Sequence, residues 1–337
     1  MNDIKRRFDL KESPKSIRDW KVCEIFTAHG ELPKKVSLKK YCDKVLDQGS
    51  AGLCHSYAGA YFKGIQETME TSNKMDMSPI ALAKEVKKID SFKGQEGSDI
   101  LSVFKAIYNH GTVRDIDYPY DYEAGSLKFQ ELPNDEKVTH YKIANYARCN
   151  NLDDIKYALS LGKPVVIGII VFENFYDILV QEFCPMPKGR SIGGHAMVVV
   201  GYDDELEHTY PDGTKCKGFL RLLNSWGENC GNGGYIYIPY DYLNKKTNDM
   251  LQISYLVDAY TGVDLENDTI DQDVVEMWIG EKEMKVNGIT VVLDQAPEID
   301  TETSRALIPV RWVEALGYEV YWNDEQKKIT IIKNKEV

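Results

Sequence analysis

A cysteine at the tip of a helix is poised for nucleophilic chemistry, because the first-turn N–H groups and the macrodipole favour its thiolate. Cys54 has this setting: it ends the run DQGSAGLC and opens a segment whose apolar residues (Tyr57, Ala58, Tyr61, Phe62, Ile65, Met69) repeat at helical spacing. A cysteine on a helix is more often an inert small hydrophobe, so the position alone decides nothing. The chain has seven cysteines, at 23, 42, 54, 149, 184, 216 and 230, with no CxxC pair. An odd count leaves at least one thiol free unless it pairs between chains, and the spacing disfavours a zinc ribbon or a thioredoxin-type site.

A thiol nucleophile needs an imidazole to take its proton, a group to orient that imidazole, and donors for the oxyanion. Of six histidines, His195 alone has the right setting: it follows Ser191-Ile192-Gly193-Gly194 and begins the apolar strand pattern AMVVVGY, so a turn aims its ring out of a rigid sheet. Asn224 ends the next strand pattern, GFLRLLN, and precedes Ser225-Trp226-Gly227, whose indole is placed to shield an amide–imidazole hydrogen bond from water. Gln48 lies six residues before Cys54, so its side-chain N–H and the Cys54 backbone N–H can form an oxyanion hole.

The elements that must hold these residues follow from periodicity. Helices are expected over about 52–69, 78–89 and 98–110, and a short one after Asn151, its cap. Lys163-Pro164 then introduces VVIGIIVF, followed by HAMVVVGY, GFLRLLN and GYIYIPY, short β-branched or aromatic runs bounded by turn residues. A helical half followed by a β half is an α+β plan.

These residues resemble the papain-like cysteine peptidases. The resemblance rests on DQGSAGLC, GGHAMVVVGY and LNSWGENCGNGGYIYI in the family's order, and runs from about Leu32 to about Asp258. It implies a two-lobed fold, helical left and β-rich right, with Cys54 as nucleophile, His195 as base and then acid, Asn224 as its orienter and Gln48 as oxyanion donor. Ala51 stands where the family usually has a cysteine, so a disulfide common at that position cannot form and packing alone is expected to hold this lobe. His55 replaces a usual tryptophan and is expected to be a partly exposed helix histidine without a role. Cys230, where a second tryptophan is frequent, is expected to be an ordinary buried thiol. Alignment by eye puts Gly168, Gly193 and Ala196 around the pocket for the residue two before the scissile bond, with Trp226 also on the substrate side. Small walls there imply a roomy apolar pocket and a bulky hydrophobic or aromatic preference. No occluding addition of the exopeptidase kind is visible, so the expected activity is an endopeptidase, without cofactor or metal, acting on protein or peptide substrates. A cysteine amidase acting on bacterial cell-wall peptides and an inactive peptidase-fold binding protein are the alternatives.

The 31 residues before Leu32 are too few for the family's long inhibitory prodomain. They carry Lys5, Arg6, Arg7, Lys11, Lys15, Arg18 and Lys21, and are expected to be a packing arm in preference to a short, removable blocking segment. Of the 337 residues 43% are hydrophobic and 28% charged, which suits a folded, water-soluble protein of one large and one small domain. Net charge is −12, of which residues 263–337 contribute −9 from 17 acids and 8 bases; such a surface repels phosphate backbones and argues against nucleic acid. No run of 18 apolar residues exists, so no membrane span is expected.

An acidic stretch over residues 261–275 reads as a linker between domains at 32–260 and 276–337. Beyond it, Val286-Asn287-Gly288, Asp294, Pro297, Ile308-Pro309-Val310-Arg311, Glu314 to Gly317 and Trp322 resemble the small domain named after the amino-terminal stalk of copper amine oxidases. The resemblance implies a β-rich α+β module with a helix around Arg305–Leu316 and a cell-surface or protein-binding role. No histidine or cysteine follows Cys230, so the module offers no imidazole or thiolate to copper. The opening residues lack a secretory h-region, which points to the cytoplasm or release by lysis, whereas the stalk-like module points outside the cell.

Overall fold

The computed structural model describes residues 6–14, 32–118, 120–132, 135–245 and 254–264, and in the C-terminal part 275–277, 279–286, 289–292, 295–300, 305–307, 318–323 and 328–333. The chain divides into two compact units near Leu265.

The first unit is α+β. Three helices, α1 (Cys54–Thr71), α2 (Pro79–Ile89) and α3 (Ile100–Asn109), come first. Ser78 caps α2 by accepting the Ala81 N–H, with Pro79 at the first helical position, and Asp99 caps α3 through the Ser102 N–H. The helices can approach closely because Gly59 of α1 has no side chain: a Cβ there would lie 2.4 Å from Val103 Cγ1. A fourth helix, α4 (Leu152–Ser160), starts where Asn151 accepts the Asp154 N–H at 2.9 Å.

Seven strands form one antiparallel sheet. They are β1 (Lys35–Ser37), β2 (Ile143–Arg148), β3 (Val165–Phe172), β4 (Ser191–Thr209), β5 (Lys215–Leu223), β6 (Tyr235–Pro239) and β7 (Leu256–Asp264), in the order β2-β7-β3-β4-β5-β6, with β1 on β4. Val165, Val166, Ile167, Val198, Val199, Val200, Leu220 and Leu222 are fully buried, so the central strands read as continuous apolar runs. A short helix, α5 (Tyr240–Leu243), follows β6. Strand β7 continues to Asp264, with Thr261 and Gly262 buried, so the sheet claims four residues that the acidic composition assigns to a linker.

The second unit, whose described residues lie within Glu266–Val337, contains β8 (Val275–Met277), β9 (Glu283–Val286) and β10 (Ile289–Val292) in one antiparallel sheet, and two further pairs. These are β11 (Glu298–Asp300) with β12 (Arg305–Leu307), and β13 (Tyr318–Asn323) with β14 (Lys328–Lys333). Arg305–Leu307, the start of the expected helix, form a strand because they pair with β11; residues 308–316, the remainder of it, lie outside the described residues.

Candidate active site

Helix α1 begins at Cys54, and Leu53 at its N-cap supplies no side-chain cap. The Cys54 thiol lies within the influence of the Ala196 backbone N–H on β4 and of the N–H groups at the start of α1, which places it near the strand residue that follows His195. The His195 imidazole is fully buried, and its Nε2 lies 2.8 Å from Asn224 Oδ1.

Neighbours fix the direction of that hydrogen bond. Asn224 Oδ1 also accepts the Ser225 N–H at 2.9 Å, while its Nδ2 donates to Cys230 Sγ at 3.4 Å. An oxygen must therefore face His195, Nε2 must carry the proton, and Nδ1 is left with a lone pair. Nδ1 has no hydrogen-bond partner among the described residues, the Cys54 thiol included. Trp226, 2% exposed, covers the pair, its ring centroid 5.3 Å from that of His195.

Gln48 reaches the site through two loops that hold each other. Its N–H donates to Ser225 O at 2.9 Å, and the Ser225 hydroxyl donates to Gln48 Oε1 at 2.5 Å. That contact points Nε2 the other way, where one of its protons bonds Ala51 O at 2.8 Å and the second remains for a ligand.

Residues 6–14 run through the groove beside these groups. The Leu10 N–H donates to Gly194 O (3.1 Å) and the Lys11 N–H to Ser98 O (3.0 Å). Arg6 pairs with Asp47 and lies over the Trp226 ring, Arg7 bridges Asp9 and Glu96, and the Ser13 N–H reaches Asp258 Oδ2 at 2.7 Å. The Phe8 ring packs edge-on against His195. Glycines make the room: a Cβ on Gly168 would meet Leu10 Cδ2 at 2.5 Å, and one on Gly193 would meet Phe8 O at 2.4 Å. Gly168 and Ala196 are cross-strand partners, so Leu10 occupies the expected pocket, with Ile100 and Asp258 beside Gly168. Gly193 belongs under Phe8, and it is Gly194, bridged to Asp9, that touches Leu10.

Burial sets the protonation of the site. The Cys54 thiol is pushed up to about 12, chiefly by burial, with the Asp9 carboxylate adding to it. His195 is lowered to about 4 by burial and by the Arg6 cation, against the opposing bond to Asn224. The pair is thiol and neutral imidazole while the segment covers it.

Two expectations need correction. His55 is fully buried, not partly exposed, because α1 is enclosed on nearly every side; burial lowers its pKa to about 3 and neither ring nitrogen has a partner among the described residues. The helical lobe is not held by packing alone, because Glu96, 2% exposed, accepts the Gly52 N–H at 2.8 Å and also the Gly125 N–H. Sequence reasoning missed Glu96, Ile100 and Asp258, whose roles depend on loops and strands meeting in space. Cys230 is buried as expected, its thiol raised to about 11 by burial, and its contact with Asn224 is new.

Residues 32–254 match the family described as papain family cysteine protease. The chain belongs to this family. The protease is 31% identical over 232 residues to a peptidase C1-like protein of Acanthamoeba polyphaga mimivirus, covering 63% of this chain and 69% of that one. It is 28% identical to ananain of Ananas comosus over 69% of its own length and 58% of ananain's. Among solved structures, xylellain, a cysteine protease from Xylella fastidiosa, shares the fold at a TM-score of 0.62 and 24% identity, with 78% of this chain and 98% of xylellain covered. Residues 233–335 match the copper amine oxidase N-terminal domain. The protein is therefore a papain-like cysteine peptidase, a hydrolase, with a C-terminal module of a second family.

Proposed function

We propose that the protease is an endopeptidase that works through a Cys54 thioester. The observation that carries this is the His195 ring: Nε2–H committed to Asn224, Nδ1 without a partner among the described residues, and the Cys54 thiol near the next residue of the same strand. His195 Nδ1 takes the thiol proton and the thiolate attacks the scissile carbonyl carbon. The oxyanion is held by the Cys54 N–H and the spare Gln48 Nε2–H. Collapse expels the amine, which leaves with the proton from His195, and gives the thioester. Water, deprotonated by His195, then hydrolyses the thioester and regenerates the thiol. The passage of Arg6 to Ser13 along the groove supports a site open to chain on both sides of Cys54, which suits internal cleavage. Leu10 in the Gly168 pocket supports a bulky aliphatic preference there.

Residues 6–14 then act as a blocking segment in preference to a packing arm, since they occupy the groove itself. The C-terminal unit is a non-catalytic attachment or protein-binding module. Cleavage-site mapping on a denatured proteome tests the main reading: internal cuts dependent on Cys54 and lost in Cys54→Ser and His195→Ala are expected. Trimming from chain ends only, or cutting that survives Cys54→Ser, refutes it.

A further inference from the structure

The loop from Gly49 to Leu53 links the two oxyanion donors, and little in its own sequence keeps it rigid. It contains two glycines, one of them, Gly49, at φ +57°, and Ala51 denies it the family's covalent tie. Its Gln48 end is fastened to Ser225, and its Cys54 end is helix. Between them the buried Gly52 N–H has one acceptor, Glu96 Oε2, at 2.8 Å. Glu96 comes from the loop before α3, is 2% exposed, and is itself fastened through Oε1 to the Gly125 N–H. Arg7 pairs with the same Oε2 at 2.5 Å, so the blocking segment is anchored on the atom that holds the catalytic loop.

We propose that Glu96 is a positioning residue: a buried carboxylate that clamps Gly52 and so keeps the Gln48 Nε2–H and Cys54 N–H converged on the developing oxyanion. The inference rests on the peptidase reading above. Glu96 touches neither the nucleophile nor the proposed base. Its loss leaves a buried N–H without an acceptor and frees the loop, and displacing oxyanion donors by a fraction of an ångström lowers the rate of steps that build the oxyanion. Reactions of the same thiol that build no oxyanion are spared.

The test compares these two kinds of reaction in the full chain carrying Arg7→Ala and Leu10→Ala, which loosen the segment and remove its hold on Glu96. Glu96→Ala and Glu96→Gln are added to this parent. Iodoacetamide alkylation of Cys54 builds no oxyanion; peptide hydrolysis and binding of a leucyl dipeptide aldehyde do. We expect Glu96→Ala to lower kcat and aldehyde affinity about 30-fold or more while alkylation stays within about 3-fold. Glu96→Gln, which keeps one acceptor oxygen, falls between and supplies the same ratio if the alanine variant does not fold. Equal loss in both kinds of reaction, or in neither, overturns the proposal alone. A parent that is alkylated yet neither hydrolyses peptides nor binds the aldehyde overturns the peptidase reading, and this proposal with it.

Discussion

With residues 6–14 blocking the groove as proposed, loosening them exposes the nucleophile, and the structure sets the size of the effect. Leu10 is 7% exposed and fills the pocket beside Gly168 and Ile100. Leucine-to-alanine changes at buried sites cost about 2–5 kcal/mol, and a surface segment that can relax belongs at the lower end, about 2 kcal/mol. Leu10→Ala acts on the closed state alone, since the displaced segment is solvated in either protein. With the open state in the minority, every 1.4 kcal/mol is a tenfold gain in open fraction, so about 2 kcal/mol gives a roughly 30-fold gain. Arg6→Ala adds only a few-fold, because its partner Asp47 is 42% exposed and solvent screens the pair. The assay is the second-order rate of Cys54 alkylation by iodoacetamide at pH 7, with intact mass confirming that the segment is still attached. Cys54 is now fully buried and held as the thiol, so the wild-type rate reports opening. Hydrolysis of a leucine-containing peptide rises in parallel. A Leu10→Ala protein alkylated at the wild-type rate refutes the blocking role.

Two further outcomes follow from the same contacts. Both His55 and His195 have folded-state pKa values below the ordinary 6.5, about 3 and about 4. The unfolded chain therefore binds more protons as pH falls from about 6.5 to about 4. Stability is full above that window and is lost as pH drops through it, by at most about 1.4 kcal/mol per pH unit for each histidine. Urea midpoints at pH 7 and pH 5 measure the loss, and His55→Leu reduces the slope by one proton; an unchanged slope counts against the burial argument. Cys230→Ala removes the acceptor of the Asn224 amide and the donor to Ile178 O, loosening the orienter by about 1 kcal/mol, so kcat falls roughly 5-fold at unchanged KM. Cys230→Ser restores most of it, and a KM effect instead of a kcat effect argues for general repacking.

The fold was legible wherever one period ran long enough. Helices α1 to α4 and strands β3 to β6 lie where apolar spacing puts them, and Asn151 caps α4 as its position suggests. Strand β2 was not, because IANYAR has neither a clean alternation nor an apolar run, and its place at the sheet edge comes from pairing with β7 more than a hundred residues later. Cys54 and Asn224 could be singled out because each sits at the boundary of a periodic element, and His195 because it opens an apolar strand pattern, whereas Gln48, in the loop before α1, was singled out by its distance from Cys54 and the family resemblance. Glu96 could not. Its neighbours GQEGSD signal only a turn, and a carboxylate in a turn is ordinarily solvated; its burial depends on three backbone segments converging on it.

The basic composition of the opening residues acquires a specific meaning from the groove. Three carboxylates stand along it, at Asp47, Glu96 and Asp258, and the segment meets each with a donor: the Arg6 guanidinium, the Arg7 guanidinium and the Ser13 N–H. All three acids also serve the protease's own frame, Asp47 through the Gly49 N–H, Glu96 through Gly52 and Asp258 through Arg148. They cannot be discarded to weaken the segment without loosening the loops and strands that shape the site. Blocking and architecture thus draw on the same acids, whereas the affinity of the segment is adjustable on its own side, through Arg6, Arg7, Phe8 and Leu10, none of which the catalytic steps require.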